Sequence, residues 1–242
     1  AAHVFDPLID QLVGTELQHK WVHAYDRGAS YPAAMAGVHV GIGDPTHHPE
    51  PLEFTNLPGY WKITIPEESN WLMPDVFTRQ GRRGAATAGT IQWVSTPTME
   101  LAAELGIDVE IHEAYLWHTS KRLYESWANR VRDARLALDT AEPGDQAARD
   151  LLKKVYVSGP GIMASDSFRE GRIGYTPHRY DPIIAKARAN ILRRIIKIGN
   201  DTGRWPVAVL KDTVIYTSDD ADGIQSWPGS TANFGRGFGQ YK

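Results

Sequence analysis

Tyr25-Asp26-Arg27-Gly28-Ala29-Ser30-Tyr31-Pro32 is the stretch whose reading decides the fold. The mixed apolar run before it, Trp21-Val22-His23-Ala24, has the length and residue types of a strand. Gly28 then marks a turn, and Pro32 stands near the first turn of a helix that continues through Ala33-Ala34-Met35-Ala36. The carboxylate of Asp26 is thus placed where a strand ends, a position suited to metal chemistry. The plainer alternative is a capped turn, with Asp26 accepting backbone N–H bonds and Pro32 stiffening the exit.

Upstream, Val4, Phe5, Leu8, Ile9, Leu12 and Val13 recur at helical spacing up to Gly14, which predicts a short amphipathic helix. Downstream, residues 41 to 58 are dense in Gly, Pro and His and read as a loop. The neighbours His47 and His48 within it would point to opposite sides of an extended chain, so a joint metal site is disfavoured. Strands are predicted at 59–65, 90–95 and 109–112. Thr96-Pro97-Thr98-Met99-Glu100 opens a short helix between the last two, with Thr96 as its cap. Residues 120–139 and 146–157 carry helical patterns joined by Ala141-Glu142-Pro143-Gly144-Asp145, which predicts an antiparallel helix hairpin. Arg149 and Lys153 share one face of its second helix. A long helix over 181–198 turns Ile183, Ile184, Ala187, Ile191, Ile195 and Ile198 to the core. Two strands, 206–210 and 214–218, then flank Lys211-Asp212-Thr213. The fold class is α+β, an antiparallel sheet interrupted by a helical insertion.

Composition narrows the function. The 242 residues suffice for one large domain, or a domain with an inserted subdomain. With no cysteine there are neither disulfides nor thiolate metal sites, which fits a reducing, cytoplasmic compartment. No apolar run is long enough to span a membrane. A net charge of −3 gives no general attraction to nucleic acid, so binding would need local clusters. Arg79, Arg82 and Arg83 form one, and Lys186, Arg188, Arg193, Arg194 and Lys197 another. Each also reads as a solvated face. The start at Ala1 and the ending Gly237-Phe238-Gly239-Gln240-Tyr241-Lys242 suggest an excised fragment.

Three of these stretches, taken in order, resemble the polymerase motifs of family B DNA polymerases of the protein-primed type. Asp26-x-x-x-Ser30-Tyr31-Pro32 is similar to the first, usually Asp-x-x-Ser-Leu-Tyr-Pro. Lys153-Lys154-Val155-Tyr156-Val157-Ser158-Gly159-Pro160-Gly161 is similar to the second, Lys-x-x-x-Asn-Ser-x-Tyr-Gly, with Val157 and Pro160 departing from it. Asp212 and Thr213 fit the third, Tyr-x-Asp-Thr-Asp-Ser, but Val214 stands where the second Asp belongs. An alternative register places that motif at Asp220-Ala221-Asp222.

The resemblance implies a palm over residues 1–115 and 162–242, a fingers hairpin over 116–161, and neither exonuclease nor thumb. It implies nucleotidyl transfer from a dNTP to a primer 3′-hydroxyl with two Mg²⁺ ions, or Mn²⁺ in their place. Asp26 and Asp212 would be the metal ligands, with Asp220 and Asp222 as the alternative. Tyr31 would exclude a 2′-hydroxyl, while Arg149, Lys153 and Ser158 would meet the nucleotide. Template and primer DNA, with a terminal protein as primer, would be the partners, in a bacterial, phage or plasmid setting. Two other readings stand beside it: a polymerase-like DNA-binding domain that has lost catalysis, and an unrelated α+β domain matching by accident.

Overall fold

A computed structural model of the chain describes residues 3–4, 16, 18–67, 75–77, 87–165 and 175–242. The elements run β1 (His3–Val4), β2 (Trp21–Asp26), α1 (Ser30–Gly37), β3 (Val40–Gly41), β4 (Thr46–His48), β5 (Gly59–Thr64), β6 (Ile91–Ser95), α2 (Thr96–Glu104), β7 (Ile111–Leu116), β8 (Ser120–Lys121), α3 (Glu125–Ala137), α4 (Pro143–Ile162), α5 (Pro177–Thr202), β9 (Ala208–Leu210) and β10 (Thr213–Ser218).

One antiparallel sheet has the order β1-β9-β10-β2 and a second the order β4-β7-β5-β6, while β3 and β8 form a small separate pair. The sheet expected to be continuous is therefore divided: β5, β6 and β7 pair among themselves rather than with β2. The alternation in β5 and β7 is that of strands with one buried face, since Trp61, Ile63, Ala114 and Leu116 are all nearly inaccessible. Alternation specifies the face and leaves the partner open.

Helix α5 is the spine. Its 26 residues extend about 39 Å at 1.5 Å per residue. Ile183 and Ala187 enter a small cluster with Ala34, Met35, Val38, Val40 and Ala128. The same stripe continues through Ile191, Ile195 and Ile198 into the main core, beside Trp61, Tyr25, Val214 and Tyr216. Gly203, at φ 71°, ends the helix by a Gly203 N–H bond to the Gly199 carbonyl, the left-handed stop that glycine allows. Several cations along α5 are partnered: Lys186 with Glu100, Arg193 with Glu104 and Lys197 with Asp201. Three of the five cations of this cluster are thus held in ion pairs, and Arg188 donates to the Asp75 carbonyl.

Several boundaries differ from expectation. The helix hairpin is present as α3 and α4, but α3 begins only at Glu125, because Ser120 and Lys121 pair with β3. Helix α4 runs on through Ser158 and Pro160 to Ile162, so the stretch expected to leave the helix stays in it. His47 and His48 lie on a short strand instead of a loop, and they do diverge: His47 stacks on Tyr115 and bonds Glu113, whereas His48 lies near His118. Thr96 is not a cap. Its buried hydroxyl accepts from the Trp61 indole at 3.0 Å and donates to the Leu57 carbonyl at 2.7 Å, tying β5 to the start of α2. Most of the expected N-terminal helix, and Arg79, Arg82 and Arg83, lie outside the described residues. His3–Val4, which that helix was to include in part, is a strand on β9.

Candidate active site

Strand β2 carries Asp26 out at its C-terminal end, and β10 begins opposite it, with Thr213 the ladder partner of Asp26. Asp212 precedes Thr213 in the turn from β9, and the Arg27 N–H donates to the Asp212 carbonyl at 3.0 Å. With Thr213 opposite Asp26, Asp212 falls opposite Arg27, so the two aspartates are one ladder position apart at the same end of the β2–β10 pair. Burial raises the Asp212 pKa above the usual carboxylate range, and the Asp26 charge raises it further. Asp26 and Asp212 thus lie together at one sheet edge.

The turns that present them are strained. Among the described residues, only Ala29 (φ 51°) and Lys211 (φ 56°) are non-glycine residues with positive φ. Ala29 lies in the turn after Asp26, and Lys211 immediately precedes Asp212. L-residues in that region cost of order 1 kcal/mol or more and persist where surrounding structure enforces them.

The alternative register is at the wrong end of the sheet. Ser218 pairs with Trp21, so Asp220 and Asp222 follow β10 roughly 17 Å from the Asp26 end at about 3.3 Å per residue. They serve their own loop, where Asp220 accepts from the Asp222 N–H and Asp222 from the Ile224 N–H. Val214 faces the core at 1 % exposure. A carboxylate at that position would be buried among apolar side chains, where its charge is costly to desolvate.

Tyr31 lies in the first turn of α1 and packs against the smaller core cluster with Tyr124 and Trp127. Arg149 is not available as a free cation: it pairs with Asp139, which follows α3 and also meets Arg236 at 3.2 Å. The acid that neutralises Arg149 comes from across the hairpin, where spacing along α4 gives no sign of it. Lys153 is exposed and has no ion pair among the described residues. The Ser158 hydroxyl donates to the Lys154 carbonyl at 2.6 Å within its own helix.

The sequence reading overlooked the C-terminal segment. Lys242 exchanges two backbone hydrogen bonds with Asp26, each 3.1 Å, and its ammonium is 3.6 Å from the Asp26 carboxylate. The Gly28 N–H donates to the Gln240 carbonyl, and the Gly239 N–H donates to the Gly28 carbonyl. Arg27 reaches back to the Gly239 carbonyl, and burial lowers its pKa. The available signal was the spacing Gly235-x-Gly237-x-Gly239, which marks a backbone that approaches another closely.

Among the described residues no cluster of three metal-ligating side chains occurs. The donor set at the sheet edge is the pair Asp26 and Asp212. Two hard, mutually repelling oxygens suit Mg²⁺ or Mn²⁺, since Mg²⁺ is bound through one or two carboxylates and keeps several waters. No helix of the described residues is long and apolar enough to cross a membrane.

Comparison with known proteins bears on this geometry. No family model matches the chain. A probable DNA polymerase of Ascobolus immersus is 27% identical over 143 residues, 57% of this chain and 12% of that protein. Among solved structures, phi29 DNA polymerase with primer-template DNA superposes with a TM-score of 0.56 at 17% identity, over 91% of this chain and 41% of that one. The same polymerase with primer-template DNA and incoming nucleotide gives 0.56 at 15% identity, over 98% and 47%. The chain therefore spans under half the length of these relatives, and its mixed α/β architecture with antiparallel sheets is similar to the phi29 DNA polymerase fold.

Proposed function

We propose that this chain is the palm and fingers region of a template-directed DNA polymerase of the protein-primed family B type, acting on dNTP, template and primer. The observation that carries the reading is the meeting of Asp26 and Asp212 at one sheet edge, inside a fold similar to that of phi29 DNA polymerase. Divalent ions held there would lower the pKa of a primer hydroxyl and offset charge on a triphosphate. The contribution of the chain itself is to fix two carboxylates on strained turns, so that little reorganisation accompanies reaction. Lys153, on the exposed face of α4, would meet the negative charge of the nucleotide, and Tyr31 would border its sugar. Arg149, held by Asp139, would position the hairpin instead of touching nucleotide.

A second reading is favoured by one observation. Buried Val214 leaves the edge with two carboxylates, so a polymerase-like domain that binds DNA without catalysis fits the same fold. Primer extension by the protein that carries this chain, wild type and Asp26→Ala, separates the two. Metal-dependent dNTP incorporation that falls by about a thousandfold, roughly 4 kcal/mol, in Asp26→Ala supports the polymerase. Primer-template binding with no incorporation by the wild type supports the second reading.

A further inference from the structure

A cavity of about 270 Å³ lies between the end of α3 and the C-terminal segment, lined by Arg132, Arg135, Asp139, Arg236, Phe238 and Gln240 among others. Arg135 is its unusual member. Only 6 % of its surface is exposed, and neither Nε nor Nη1 has a hydrogen-bond partner. The guanidinium lies between two rings, 6.0 Å from the centroid of Tyr156 and 5.9 Å from that of Phe238. It also sits in the last turn of α3, whose carbonyl ends favour a cation. Ring faces and a helix dipole ease the burial of positive charge, but they do not satisfy the Nε–H and Nη1–H groups, which are buried without a partner in the wall of the cavity.

The nearby acid does not satisfy them either. Asp139 is taken by Arg149 and Arg236, and Arg132 pairs with Asp133. The cavity wall thus holds three guanidinium groups against one carboxylate already engaged twice. Its volume equals that of about nine waters in the liquid, enough for an oxyanion of one or two phosphoryl groups and too little for a duplex. Arginine binds such oxyanions through paired N–H donors, and two donors of Arg135 stand idle.

We propose that this cavity is a phosphate-binding site in which Arg135 is the principal ligand, with Arg132 and Arg236 at its mouth. Its occupant is a small phosphate-bearing anion: inorganic phosphate, pyrophosphate or the phosphate tail of a nucleotide. The site does not use Lys153, nor the carboxylates at the sheet edge. It closes only when the C-terminal segment is in place, because Arg236, Phe238 and Gln240 all come from that segment. Occupancy would therefore lock α3, the Gly28 turn and residues 236–240 together, Gly28 being within 3.5 Å of Arg135 if a Cβ is placed on it.

The test is calorimetric titration of the full protein with phosphate, pyrophosphate, a dNTP and the matching deoxynucleoside, all without divalent metal, primer or template. An inactive protein still tests the proposal, so its failure is distinct from failure of the polymerase reading. The three phosphate-bearing probes should bind and displace one another, and the deoxynucleoside should not bind. Arg135→Gln should weaken pyrophosphate binding at least tenfold. Should that variant fail to fold, the double variant Arg132→Gln/Arg236→Gln, at exposed sites, should weaken it severalfold with an unchanged Tm. The proposal is overturned if neither phosphate nor pyrophosphate binds at millimolar concentration, if the nucleoside binds as well as the nucleotide, or if the variants bind like the wild type.

Discussion

Asp212→Asn should make the metal-free protein more stable at neutral pH. In the wild type, burial and the Asp26 charge both disfavour the ionised Asp212, and Asn keeps the side-chain acceptor while removing the charge. Asp212 is half-exposed, so solvent screening limits the gain to about 0.2–1 kcal/mol, the range of a surface charge pair. For a chain of this size 1 kcal/mol corresponds to roughly 2–4 °C, which predicts a Tm rise of up to about 4 °C. The pH dependence follows from the raised pKa. The folded state holds the Asp212 proton to higher pH than the unfolded chain, so wild-type stability falls as pH rises through the interval between the two values. Below the ordinary aspartate value the wild type and Asp212→Asn should converge, and the gap should open above it. Divalent metal should reverse the order. At ten times its dissociation constant a bound ion stabilises the folded state by about 1.4 kcal/mol, and Asp212→Asn should lose most of that. Thermal melts from pH 3 to 8, with and without Mn²⁺, read both effects. A variant less stable than wild type in metal-free neutral buffer, or one stabilised equally by Mn²⁺, would refute the pairing of these carboxylates.

Tyr31→Ala should admit ribonucleotides while leaving deoxynucleotide use largely intact, as competition between rNTP and dNTP in primer extension would show; unchanged discrimination removes the gate. Lys153→Ala should raise the KM for dNTP by roughly tenfold, about 1.4 kcal/mol, with primer-template binding measured by anisotropy unchanged. Gly199→Ala places a Cβ 2.4 Å from the Trp205 indole, so either the ring or α5 must move. A cost of about 1–3 kcal/mol is expected, visible as a Tm lower by several degrees and a shifted tryptophan emission.

The elements that sequence shows best here are those whose stability comes from a single stripe. The isoleucines of α5 recur every three or four residues and pack as that spacing demands, and the hairpin of α3 and α4 is visible because Pro143-Gly144 interrupts two helical patterns. The turn holding Asp212 is legible for a related reason: apolar strands on either side leave a carboxylate only the sheet edge. The division into two sheets is not legible. Val94 and Trp61, or Tyr25 and Val214, find each other through pairings that turn on the whole fold, and an alternating strand bears no mark of its neighbour.

Charge is the hardest feature to read along the chain. Arg130, Arg132 and Arg135 look alike in a helix with low mean hydropathy, and an exposed face is the natural reading for all three. What separates Arg135 is burial by Phe238 and its neighbours, contributed by a segment distant in sequence, and by Tyr156 from the partner helix of the hairpin. The same three-dimensional accounting removes Arg149, which sequence spacing favours, by supplying Asp139 from the other helix. A cation is a ligand for phosphate only to the extent that the fold leaves its donors unspent. In the hairpin Lys153 and Lys154 are exposed to water, whereas the Nε–H and Nη1–H groups of Arg135 are buried and unspent, so burial without a partner, rather than charge alone, marks the arginine as the anion ligand.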